Sequence, residues 1–191
     1  MSDLSSLFRD DIIKENTLWG VKTMNPVLRK WRVTDAEALA NILNNKKIQA
    51  NLRDGLPYPY TKKDAQLFIE AMLKADPAKT FAFAIVDQEK VIGSIGAFRC
   101  ENIHRRSAEL GYYLSEEYWG KGFMTAAVKA LTEYLFTETD IIRIFAEPFS
   151  TNLGSCRVLE KCSFQLEGTL RKNAVKDGCI IDMQLYARIN E

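Results

Sequence analysis

Hydrophobic positions change period several times along this chain. Leu4, Leu7, Phe8 and Ile12 recur at helical spacing and predict a short amphipathic helix over residues 4–13, with Trp19 after it. "NPVLRKWRV" reads as the first strand. Thr34 and Glu37 form T-x-x-E, a capping box in which each side chain satisfies the other's free backbone N–H. A helix through about Leu43 follows from it. Thr61 and Asp64 mark a second start, with Ala65, Phe68, Ile69, Met72 and Leu73 as the buried stripe and Pro77 just past the end.

The middle of the chain alternates with the period of strands. "TFAFAIV" and "KVIGSIGAF" flank "DQEK" as a hairpin, and "SAELGYYL" extends the sheet. A helix then carries Ala127, Ala130, Leu131 and Tyr134 on one face. "IIRIFAE" is a strand, so strand, helix and strand make a right-handed crossover with one parallel pair. "NLGSCRVLEKC" is the last helix. "FQLEGTLRKNAV" and "CIIDMQLYARI" close a hairpin at Asp177 and Gly178, residues that accept positive φ. No repeat or linker interrupts this, which predicts one α+β domain with a mixed sheet.

Composition narrows the function. The 191 residues suit one domain with a full core, and 47% hydrophobic with 27% charged residues is ordinary for a soluble protein. With 26 basic and 25 acidic residues the net charge is +1, so nothing in the charge favours nucleic acid or a membrane surface as partner. No apolar run approaches the roughly 20 residues that span a bilayer. The charged start "MSDLSSLFRDDIIKEN" is unlike a signal peptide. Cys100, Cys156, Cys162 and Cys179 are scattered and His104 stands alone in "CENIHRRS", so no metal site is expected. We read the cysteines as reduced thiols of a cytoplasmic protein and His104 as a solvated loop residue.

"SEEYWGKGFMTAAVKALTEYLF" carries the chemistry. Gly120 and Gly122 precede a helix, so their backbone can approach an anion while the helix start adds its positive end. Lys121 and the Thr125 hydroxyl stand ready to assist. Lys121 is followed by Gly122 rather than Ser or Thr, which excludes a Walker loop. Thr125 stands where a Rossmann fingerprint needs its third glycine.

Three phrases in order, "LPYPYTKKDA", "AELGYYLSEEYWGKGFMTAA" and "NLGSCRVLEKCSF", make the chain resemble the Gcn5-related N-acetyltransferases over about Val27 to Ile189. The branch most similar contains the ribosomal-protein N-terminal acetyltransferases. The resemblance implies a six- to seven-stranded, mostly antiparallel sheet with a splayed parallel central pair, flanked by helices. It divides the chain into an extension over 1–25, packed on the main domain or a second subunit, and an N-acetyltransferase domain over 26–191; a homodimer stays open. The family pattern Q/R-x-x-G-x-G/A falls on Trp119, Gly120, Lys121, Gly122, Phe123 and Met124, whose amides would bind the diphosphate of coenzyme A. Trp119 replaces the usual Gln or Arg, Met124 replaces a small residue, and Ser163 stands where a helix-ending glycine is usual. A positive φ at Ser163 would cost roughly 1 kcal/mol.

Acetyl transfer from acetyl-CoA needs a neutral amine, a donor for the oxyanion and a proton for the thiolate. Glu109 is the candidate base, acting directly or through water; its other reading is a strand glutamate facing solvent. Gly111 reads as a bulge that releases main-chain N–H groups. By resemblance, an amide near Leu114 holds the thioester carbonyl, Asn152 contacts the pantetheine arm, and Ser155 protonates the thiolate or orders the cofactor. Asn152 also reads as an N-cap, with Ser155 on the same side. Tyr112 and Tyr113 read as packing residues, and Cys156, without a histidine to activate it, as helix packing. "NLRDGLPYPY" borders the acceptor site by resemblance, with Asp54, Tyr58 and Tyr60 as candidates; a rigid connector made by Pro57 and Pro59 is the other reading. The expected acceptor is a protein or peptide α-amino group. A small amine, polyamine, amino sugar or amino acid is the alternative, as is an acyl-CoA-binding module without turnover.

Overall fold

The computed structural model describes residues 26–191; the helix expected over residues 4–13, and Trp19, lie outside them. Seven strands run in the order β1-β2-β3-β4-β5-β7-β6, where β1 is Val27–Lys30, β2 Thr80–Asp87, β3 Lys90–Arg99, β4 Ser107–Leu114, β5 Arg143–Ala146, β6 Gln165–Lys176 and β7 Cys179–Ile189. Among the described residues only β4 and β5 pair in parallel. The helices are α1 (Ala36–Leu43), α2 (Lys46–Gln49), α3 (Lys62–Lys74), α4 (Phe123–Glu138) and α5 (Leu153–Lys161). The expected α+β fold with a mixed, mostly antiparallel sheet is what forms.

Each sheet face has its own core. Leu28, Ile92, Leu110 and Ile144 pack with Leu131 and Leu135 of α4 and Leu159 of α5. On the other face Ala84, Val86 and Val91 pack with Leu39 and Leu43 of α1 and Ala65 and Ile69 of α3. Because both faces are covered, β3 is buried continuously from Val91 to Ala97 instead of alternating.

Several local expectations change in three dimensions. The Thr34–Glu37 box does not form. Asp35 accepts the Arg32 N–H at 2.8 Å and both guanidinium nitrogens of Arg29, at 2.7 and 2.8 Å, so the chain enters α1 through a tight turn at Val33–Asp35. Glu37 pairs with Lys62 instead, at 3.1 Å. The box at Thr61 and Asp64 does form, with reciprocal bonds of 2.8 and 3.2 Å. Leu73, expected in the stripe of α3, is exposed. At the end of α5, Ser163 adopts φ 63°, and Phe164 N–H reaches Leu159 C=O at 3.0 Å while Ser163 N–H reaches Glu160 C=O at 3.1 Å. That is a Schellman cap with serine in the position that favours glycine.

The feature that makes a site is the end of the parallel pair. Pairing covers Ser107–Arg143, Ala108–Ile144 and Glu109–Phe145, then stops while β4 continues to Leu114. Pro148 has no N–H to continue the ladder. The chain after β5 stays with β7 instead, through Gln184 N–H to Pro148 C=O and Ser150 N–H to Asp182 C=O, both 2.9 Å. Beyond Glu109 the two strands therefore diverge.

Candidate active site

The gap between β4 and β5 opens into two cavities. One, of about 590 Å³, lies between the starts of α4 and α5; the other, of about 550 Å³, lies under the loop joining α2 to α3. Asn51, Leu52, Tyr112, Tyr113, Asn152 and Ser155 border both. The two spaces meet there.

Gly120 and Gly122 adopt φ 73° and 86°, and a Cβ on either would meet nothing within 4 Å. Backbone conformation, not crowding, thus demands glycine, and the space above both is open. Gly122 also holds the N-cap position of α4 without a side chain to cap it. The first-turn N–H groups of Phe123, Met124 and Thr125 keep no side-chain partner from the cap, which leaves them for an anion. Phe123 and Met124 are buried, and the Phe123 ring meets Tyr118 edge-on at 5.3 Å, so the helix start is anchored from below. Met124 belongs to the main core and also borders the first cavity. Trp119 Nε1 donates to the Leu114 carbonyl at 2.8 Å, fastening the glycine loop to the end of β4. Glu116, just upstream, accepts from Asn45 at 2.7 Å and pairs with Lys47, which ties α2 to the same turn. Lys121 lies over the Tyr118 ring, 5.5 Å from its centre, and does not border the cavity.

Gly111 does not form the expected bulge. It sits directly opposite Gly96 in an unbroken β3–β4 register. Amides are released on the other edge of β4. Cys100 N–H bonds Ser107 C=O and Ser115 N–H bonds Ile92 C=O, at 2.9 and 2.8 Å, which fixes odd-numbered positions toward β3. Even-numbered positions face β5, and past the last parallel pair the N–H groups of Tyr112 and Leu114 are turned into the gap.

Asn152 caps α5 as expected, its Oδ1 accepting Ser155 N–H at 3.1 Å. Ser155 Oγ lies 2.8 Å from the Tyr112 hydroxyl. Burial pushes the Tyr112 phenol well above its ordinary range, so it stays protonated at neutral pH despite its bond to Ser155. Tyr112 packs against the main core as expected, and its hydroxyl in addition stands at the junction beside that of Ser155. Tyr113, on the opposite face, is also pushed up by burial and bonds Ser94. Cys156 and Cys162 are buried and their thiols pushed up by that burial, which suits packing. His104 is exposed, and among the described residues no three His, Cys, Asp or Glu side chains group as a metal site.

On the far side of the junction, Glu109 borders the second cavity with Leu52, Leu56, Phe68, Phe149 and Met183. Its carboxylate is paired with Arg53, whose guanidinium also lies 3.8 Å from Glu147. Asp54 borders the same cavity and pairs with Lys176 at 2.7 Å, so the loop is held from both sides. Tyr58 and Tyr60 are not brought to it. Tyr58 is exposed beneath the Lys46 ammonium, 5.4 Å from the ring centre. Tyr60 is buried in the second core, its main chain exchanging bonds of 2.8 and 2.6 Å with the Asn44 side chain.

Known proteins share this framework. Residues 26–165 match the family model of the acetyltransferase (GNAT) domain. The chain belongs to this family and is an acetyl-CoA-dependent N-acetyltransferase. It is 36% identical over 118 residues to the probable N-acetyltransferase YjcK of Bacillus subtilis (strain 168), an alignment spanning 62% of this chain and 65% of that one. It is 30% identical over 162 residues to the uncharacterized N-acetyltransferase p20 of Bacillus licheniformis, spanning 84% and 90%. Among solved structures, RimL, a ribosomal L7/L12 alpha-N-protein acetyltransferase in complex with coenzyme A, superposes with a TM-score of 0.79 at 24% identity, over 87% of this chain and 95% of that one.

Proposed function

We propose that the chain acetylates the α-amino group of a protein or peptide by direct transfer within a ternary complex. The observation that carries this reading is the meeting of two cavities at the Tyr112–Ser155 hydroxyl pair, with the uncapped start of α4 on one side and Glu109 on the other. In the first cavity the N–H groups of Phe123, Met124 and Thr125 take the diphosphate of acetyl-CoA, and Gly120 and Gly122 let it approach. Asn152 orients the pantetheine arm, and the Leu114 N–H donates to the thioester carbonyl.

Glu109 takes the proton of the incoming ammonium, directly or through water. The amine nitrogen then bonds to the carbonyl carbon while the carbon–sulfur bond breaks. Tyr112 and Ser155 pass a proton to the departing sulfur, and the proton that the newly acylated nitrogen sheds restores the phenol through the same junction. An α-amino group suits this machinery because its pKa of about 7.7–8.0 lies well below lysine's at about 10.4, so a carboxylate suffices as base. The fold shared with RimL, itself an alpha-N-protein acetyltransferase, supports the same choice.

The test is acetyl-CoA with peptides whose N-termini are free or blocked, read by released thiol and by mass. Thiol release and a gain of one acetyl group with free N-termini alone are expected. Equal release with blocked peptides, or release with diamines and amino sugars only, would overturn the choice of acceptor.

A further inference from the structure

The glycine loop supplies main-chain donors but no side-chain charge. Lys121 rests on the Tyr118 ring, and the indole N–H of Trp119 is committed to the Leu114 carbonyl. The charged residues bordering the first cavity are Arg157 and Lys161, and both are cations. They stand four residues apart on α5, hence on one face of the helix, with Val158 between them on the cavity wall. Among the described residues neither has an ion pair, whereas Arg53, Lys47, Lys90 and Arg143 are all paired. Among the described residues no carboxylate borders this cavity to balance them.

We propose that Arg157 and Lys161 form a side-chain wall of the phosphate site, opposite the start of α4, and hold phosphate oxygens of the cofactor's nucleotide end. This rests on the reading of the first cavity as the acetyl-CoA site. The division of labour is physical. Helix-start amides bind through fixed partial charges at short range, while long exposed cations reach a phosphate that lies farther out and carries more charge. A Lys in the last turn of α5 also complements that helix's C-terminal end, but this role would act on melting temperature and not on ligand affinity.

Calorimetric titration of coenzyme A and of dephospho-coenzyme A into the wild type, Arg157→Gln, Lys161→Gln and the double variant tests it. Both side chains are exposed, so Arg157→Gln should melt with the wild type and Lys161→Gln at most slightly below it. The double variant should bind coenzyme A about tenfold or more weaker at low salt, the loss expected of a charge-assisted hydrogen bond, with the gap narrowing as salt rises. An equal loss for dephospho-coenzyme A assigns the cations to the diphosphate; a loss confined to coenzyme A assigns them to the ribose phosphate. Wild-type affinity in the double variant overturns the inference while leaving the cofactor reading intact. A wild type that binds neither compound overturns both.

Discussion

The Tyr112 hydroxyl lies 2.8 Å from Ser155 Oγ, joining a strand to a helix across the seam between the two cavities. Tyr112→Phe should lower kcat by about 10²-fold, the scale of general acid catalysis, with little change in coenzyme A affinity. If the hydroxyls act as one relay, Tyr112→Phe combined with Ser155→Ala should be hardly slower than the worse single variant. Steady-state thiol release decides it, and multiplying defects would separate the two roles.

Glu109→Gln should lower kcat by about 10²-fold while coenzyme A binds as before. The substitution keeps size and removes the basic oxygen. Because Arg53 is paired with this carboxylate and lies near Glu147, Arg53→Ala should shift the acceptor's KM and leave cofactor affinity unchanged. Undiminished turnover in Glu109→Gln would remove the proposed base.

Gly122→Ala forces a side chain into φ 86°, a cost of roughly 1–2 kcal/mol, and sets a methyl group at the uncapped start of α4. Thermal unfolding should report the strain, and calorimetry should report weaker coenzyme A binding. Since nothing lies within 4 Å of that methyl, unchanged affinity would mean that no anion sits there.

Ser163→Gly should stabilise the fold by about 1 kcal/mol without touching activity, because φ 63° then carries no side-chain penalty. The urea midpoint should rise at constant m-value.

Acid should find the Arg29–Asp35 pair. Burial pushes the Asp35 carboxyl up, but hydrogen bonds from Arg29 and the Arg32 N–H more than offset it and hold the group below its ordinary 3.8. A depressed folded-state value means stability that is complete above about 3.8 and lost as pH falls through the folded value. Asp35→Asn should flatten that limb of the stability curve. It should also cost about 3 kcal/mol at neutral pH, since Arg29 stays buried without its partner.

Local signals in the sequence were sufficient for the order of the seven strands and of the longer helices α1, α3, α4 and α5, the glycine loop and the cap at Asn152, because each depends on residues a few positions apart, whereas the single turn of α2 was not foreseen. Gly111 misled because a lone glycine in a strand reads as a bulge, and its pairing with Gly96 is visible only across the sheet. Tyr60 misled because a turn-rich stretch reads as surface, while its main chain is held by Asn44, 16 residues earlier. Tyr112 and Arg53 stayed hidden because their partners lie 43 and 56 residues away. Arg157 and Lys161 were open to discovery, since i,i+4 spacing beside Val158 sets both on one helix face.

A coenzyme A titration followed by ¹⁵N–¹H spectra probes the proposed cofactor cavity most directly. One ligand should bind per chain, with the largest shifts at the amides of Phe123, Met124, Thr125 and Leu114. No binding, or shifts confined to surfaces away from the start of α4, would contradict it.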